Sequence, residues 1–161
     1  MTPQWRTSPL ALYGLLGIAT AAIIHFETYF GLSIDLKDPL FFVVHIAIFP
    51  LFFAFVLRAR RWSGRVSFFN RSEPSHLREL LRFFPLWVYP AGLVLFVYTA
   101  VNFLLSVQHL PNHSSNLTGT EARYMVRAFS GHWLFFFSIP TVFFGFVPKD
   151  ARPQGSDIAH T

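Results

Sequence analysis

Four stretches of the chain, residues 10–30, 40–57, 83–107 and 128–147, are continuously apolar, and none of them contains Lys or Arg. Polar residues gather between them. A hydrocarbon core of about 30 Å takes roughly 20 apolar residues in helical form, so each stretch is long enough to cross a membrane once. The apolar runs do not alternate with period two, which excludes a transmembrane β-barrel. The pattern therefore predicts an all-α integral membrane protein, a four-transmembrane-helix bundle making one domain over residues 1–161, with helices near 10–30, 40–57, 83–107 and 120–147.

Helix-end signals agree with these limits. Ser8 and Pro9 suit an N-cap and a first helical position, and Asp38 and Pro39 repeat the device. Gly31 suits the end of the first helix, and Thr118 to Glu121 read as a capping box before the fourth. Pro90 and Pro140 are expected to bend the third and fourth helices. Between the second and third helices, Leu77, Leu80, Leu81 and Phe84 are apolar at helical spacing, whereas Arg78, Glu79 and Arg82 are polar. That segment, from Ser75, predicts a short amphipathic interfacial helix. Ala19, Thr20 and Ala21 resemble a signal-peptide cleavage site, but the apolar run continues to Phe30, so an uncleaved helix is expected.

Charge sets the orientation. Of 13 Lys and Arg residues, Arg6, Arg58, Arg60, Arg61, Arg65, Arg71, Arg78, Arg82, Lys149 and Arg152 fall on one side, and Lys37, Arg123 and Arg127 on the other. Short basic loops stay cytoplasmic. Both termini and residues 58–82 are therefore inside, as in a bacterial inner membrane, and the net charge of +5 points to lipid headgroups rather than nucleic acid. Trp5, Trp62 and Trp87 would form the inner aromatic belt, with Tyr29, Tyr124 and Trp133 in the outer one. So small a membrane domain is expected to work as a homo-oligomer or within a larger membrane complex.

The absence of Cys removes disulfides, thiolate metal sites and covalent haem attachment. Any metal must be held by nitrogen or oxygen. The sequence has no phosphate-binding loop and no hydrolase-type triad or carboxylate pair. Two glycosylation triplets, starting at Asn112 and Asn116, lie on the second outer loop, where such triplets also occur by chance.

The chemistry-bearing residues share a depth. His25, His45, Asn102 and His132 each stand four or five residues from the outer end of their apolar stretch, roughly 6 to 8 Å below the boundary at about 1.5 Å per residue. Polar groups at that depth face a bundle interior or a cavity. His25 shares a stripe with Gly14, Ile18, Ala21, Ala22 and Thr28, and Asn102 shares a polar face with Tyr98, Thr99 and Ser106. The layer predicts a metal or haem site with His25, His45 and His132 as ligands, for electron transfer or redox chemistry at the outer face. Zinc or copper would suit three imidazoles, and b-type haem would suit two. Asn102, Tyr98 and Glu27 would orient a ligand ring or a bound water.

The other reading is a cofactor-free accessory subunit, in which the same groups hydrogen-bond across helices and fix their packing. The 21 Phe residues are consistent with a haem, quinone or lipid-tail pocket as well as with a lipid-facing surface. His109 and His113 stand on the outer loop beside Pro111. For topology, reporter fusions after Lys37 and Asn116 should read outside and fusions after Gly64 and Thr161 inside. A cytoplasmic signal after Asn116 would overturn that assignment.

Overall fold

A computed structural model of the chain describes residues 4–30, 39–62, 81–109 and 119–148. Within them lie four helices: α1, Pro9–Phe30; α2, Pro39–Trp62; α3, Val88–Val107; and α4, Gly119–Phe146. Even α3, with 20 residues, spans about 30 Å, and all four are long and apolar enough to cross a membrane.

The start of α1 follows from Ser8 and Pro9. The Ser8 hydroxyl accepts the Ala11 N–H at 3.1 Å and its carbonyl accepts the Leu12 N–H at 2.9 Å, with Pro9 at the position that needs no donor. α2 runs past the apolar end at Leu57, through Arg58 and on to Trp62. α3 begins later than its apolar stretch does, because residues 82–87 are turns. Pro85 disfavours helix at Phe84, and the Val88 N–H donates to the Pro85 carbonyl at 3.0 Å. The short interfacial helix predicted from Ser75 to Phe84 is thus not found among the described residues, where Arg82 to Trp87 are non-helical and four helices are present.

Pro90 falls in the first turn of α3, where a missing N–H has no intrahelical partner to lose. Pro140 lies inside α4, and Pro50 lies inside α2, a helix-interior proline not anticipated from the sequence. The Asp38 cap, Thr118 of the capping box, Gly31, the segment 75–80, His113 and the Asn112 and Asn116 triplets lie outside the described residues.

Direction alternates from helix to helix. At one end, the Arg6 N–H donates to the Gly145 carbonyl at 2.7 Å and the Arg58 guanidinium to the Val147 carbonyl at 3.3 Å. The entry to α1, the exit from α2 and the end of α4 meet there. At the opposite end Arg127 bonds Thr28, and His109 stacks on Tyr124 with ring centroids 4.4 Å apart.

α4 is the axis of the assembly. It packs against the other three helices, α1 also touches α2, and the backbones of α2 and α3 make no close approach to each other. α2 presents Phe41, Val44, Ile48 and Leu51 inward at helical spacing. α3 is inverted relative to a helix of a water-soluble protein: its buried residues are Thr99, Asn102 and Ser106, while Leu93, Val94, Phe96, Val97, Val101 and Leu104 are exposed. Trp133, expected in the outer aromatic belt, is instead 1% exposed in the core, because its position on α4 points it at α2.

Small residues set the spacing of α1 and α4. A Cβ on Gly14 would run into the Thr141 hydroxyl, and one on Gly17 into the buried ring of Phe137. Replacing Gly17 by Val should therefore destabilise the protein by about 1–3 kcal/mol through overpacking. The same change at Gly92, which has open space around it, should be close to neutral. Thermal unfolding in detergent separates the two variants, and equal losses would contradict this packing.

Candidate functional site

The polar residues of α1, α3 and α4 meet in the half of the molecule near Arg127. Successive residues on α4 point about 100° apart, a consequence of 3.6 residues per turn, so the Ser130 to Trp133 run fans out to different neighbours. Ser130 meets His25 on α1, Gly131 meets Asn102 and Thr99 on α3, His132 meets Phe103 on α3, and Trp133 meets His45 on α2. The four residues of the predicted layer do lie within about two turns of one another along α4. They do not converge on one point.

His25 is 2% exposed and uses both ring nitrogens. Nδ1 lies 2.8 Å from the Ser130 hydroxyl, and Nε2 is hydrogen-bonded to the Tyr98 hydroxyl. The directions follow from the donors available. Ser130 gives its one hydrogen to the Arg127 carbonyl at 3.2 Å, so it accepts from His25 Nδ1–H, and Nε2 accepts from Tyr98. The Tyr29 hydroxyl stands 3.4 Å from that of Tyr98. The result is a one-way chain from Tyr29 through Tyr98, His25 and Ser130, ending at a backbone carbonyl.

Arg127 closes the same region from the outer end. Its Nε donates to the Thr28 hydroxyl at 3.2 Å and its Nη2 to the Thr28 carbonyl at 2.8 Å. The Thr28 hydroxyl in turn donates to the His25 carbonyl at 2.6 Å. The guanidinium sits 3.9 Å over the ring of Tyr29 and 5.4 Å from that of Tyr124, a cation–π arrangement. Asn102 donates to the Arg127 carbonyl at 3.0 Å, and Thr99 to the Gly131 carbonyl at 3.2 Å. A Cβ on Gly131 would stand 2.8 Å from Asn102 Nδ2, so glycine is what lets α3 come this close.

The remaining histidines stand apart. His45 Nδ1 accepts the indole N–H of Trp133 at 3.1 Å, in a nest of Phe41, Phe49 and Phe129. His132 Nδ1–H donates to the Ala128 carbonyl at 2.8 Å, and its ring packs edge-on against Phe103 at 4.6 Å. Among the described residues no group of three His, Asp or Glu side chains stands where it could hold a metal ion. Of the groups expected to orient a ligand, Tyr98 bonds His25 directly, Asn102 bonds a backbone carbonyl, and Glu27 is half-buried outside these hydrogen bonds. No family model, curated protein or solved structure matches the chain.

Three participants were not singled out from the sequence. Arg127 stands one residue before the apolar stretch of α4 and reads as an outer-loop charge. Ser130 and Gly131, small residues just before His132, are consistent with a close approach of α4, and Trp133 reads as a belt residue. A charged group one turn from Ser-Gly-His was the available signal. Nearby, the Arg123 Nε is buried without a hydrogen-bond partner among the described residues.

The chain of bonds makes stability predictions. Tyr98→Phe and Ser130→Ala should each cost more than the ~0.6 kcal/mol that a made interhelical bond contributes, up to about 3 kcal/mol, because each leaves a buried His25 nitrogen unbonded. Arg127→Met should cost more, since it removes both Thr28 bonds and the contact with Tyr29. A double-mutant cycle of Tyr98→Phe with His25→Phe, followed by unfolding in detergent, should return a coupling near the single-bond value. Additivity of the two changes would show that the pair contributes nothing.

Proposed function

We propose that this chain is a multi-pass integral membrane protein of bacterial inner-membrane type, both termini and residues 58–82 cytoplasmic. We further propose that it works as a cofactor-free accessory subunit of a homo-oligomer or larger membrane complex. Its polar layer is then a lock that holds α1 and α3 to α4 in one register. The observation that carries this reading is that protein partners already occupy the histidine lone pairs at two of the three positions: Tyr98 donates to His25 Nε2, and Trp133 to His45 Nδ1. A metal at either site would have to displace its donor.

The membrane assignment draws support from α3, which buries Thr99, Asn102 and Ser106 and exposes its large apolar residues. In water that arrangement would be costly; in lipid it is favourable. A proton-path role is disfavoured by the direction of the Tyr29 to Ser130 chain, which ends on the Arg127 carbonyl. A carbonyl passes no proton onward. The basic end of the bundle, with Arg6, Arg58, Arg60 and Arg61, suits contact with anionic headgroups or an acidic partner surface.

A metal or haem reading has one observation in its favour. His132 donates through Nδ1 to a backbone carbonyl, which fixes the tautomer that leaves Nε2 ready to ligate. Joint ligation by His25, His45 and His132 would require the bonds to Tyr98 and Trp133 to break. Elemental analysis and an absorption spectrum decide between the readings. Protein purified in gentle detergent without chelators should be colourless, carry no stoichiometric metal and run larger than one chain. A Soret band or stoichiometric metal, lost in His45→Ala and His132→Ala, would replace the accessory reading with the cofactor one. A monodisperse monomer that is fully active alone would remove the assembly.

A further inference from the structure

Between α2 and α3, one side of α4 faces a gap among the described helices. α2 and α3 flank α4 without a close approach to each other, and Phe136, 36% exposed, is the large α4 side chain that opens to the outside. His132, Phe136 and Ile139 follow one another at helical spacing along this opening, each at least partly exposed. The walls are aromatic. Phe103 on α3 packs against His132 at 4.6 Å, and Phe52 on α2 stands 6.0 Å from Phe136. The His132 and Phe136 rings lie nearly parallel, 17° apart in plane.

His132 gives this crevice its chemistry. Because Nδ1–H donates to the Ala128 carbonyl, the neutral ring carries its lone pair on Nε2, the nitrogen distal to the backbone. Nothing among the described residues bonds that atom. An acceptor without a donor in apolar surroundings is costly, and it selects its complement: a ligand that brings a hydrogen. A group that only accepts, such as a ketone or a phosphate diester, cannot satisfy it. An aromatic hydroxyl is a stronger donor than an aliphatic one and is carried on a flat ring suited to the parallel planes of His132 and Phe136.

We propose that this crevice is a binding site for a reduced quinone-type lipid, one ring hydroxyl donating to His132 Nε2 and the ring lying along Phe136 and Ile139. The fixed tautomer makes the site selective for the quinol over the quinone. The proposal rests on the membrane reading, whose own failure would show separately in the reporter fusions. It is a binding proposal and requires no redox step within this chain.

The probe is decylubiquinol, titrated under anaerobic conditions into the full chain purified in detergent. Decylubiquinone and the quinol's di-O-methyl ether serve as ligands without a donor. The quinol should bind at least about tenfold more tightly than either, a ratio corresponding to about 1.4 kcal/mol. His132→Leu should abolish the difference. Ile139→Trp, which fills the floor while keeping the imidazole, should weaken the quinol by a similar factor and serves if His132→Leu does not fold. Equal affinity for quinol and quinone, unchanged quinol binding in both variants, or a stoichiometric metal on His132 would overturn the proposal. So would a dimer that becomes monomeric in His132→Leu, since a second copy would then be the occupant.

Discussion

A polar group withdrawn from water must be bonded inside the protein, and the structure is organised around meeting that requirement with few residues. The asymmetry in energy is what gives the requirement its force. A hydrogen bond between helices is worth about 0.6 kcal/mol when made, whereas a polar group left unbonded in hydrocarbon costs several. The His25, Ser130, Tyr98 and Arg127 network therefore contributes modest stability while strongly penalising any other arrangement. If α1 slid by one turn relative to α4, His25 would lose Ser130, and Arg127 would lose both oxygens of Thr28 together. Specific register, more than net stability, is what such a network supplies.

The packing obeys the same requirement. A network this compact needs backbones close enough for short side chains such as Ser130 and Thr99 to reach across. Gly14 and Gly17 on α1 and Gly131 on α4 provide that closeness, each where a Cβ would strike a side chain of the neighbouring helix. The bulky residues go where reach is not needed. Phe137 and Trp133, on α4, sit in the core of the bundle, and α3 turns its Leu, Val and Phe residues outward, where among the described helices only α4 packs against its backbone.

How much of this the sequence could reveal depends on which kind of information each residue carries. Helix number and the cap at Ser8 follow from local pattern and are present in the structure. The inward stripes of α1 and α3 follow from the 3.6 periodicity, which places Gly14, Ala21, His25 and Thr28 on one face and Thr99, Asn102 and Ser106 on another. Partner choice is not periodic information. That Trp133 would meet His45, and that Arg127 would leave the outer surface to bond Thr28, depends on how far α4 is rotated about its axis. Its fourfold fan of contacts fixes that rotation, and no single helix pattern contains it. Equal depth of three histidines is likewise a one-dimensional statement: residues at one depth on helices surrounding a central one can still point away from one another.

The three histidines differ most usefully in the hydrogen each lacks or holds. His25 is bonded on both nitrogens, His45 receives an indole hydrogen, and His132 gives its own hydrogen to a carbonyl of its own helix. A residue type that reads identically three times in the sequence is thus chemically distinct at each site, because tautomer and lone-pair direction are set by neighbours. His25 is buried and bonded on both ring nitrogens, whereas His45 is half-buried with Nδ1 taken by the Trp133 N–H. His132 is held in the tautomer that leaves its Nε2 acceptor without a donor among the described residues, so a molecule that brings a hydrogen finds its complement there.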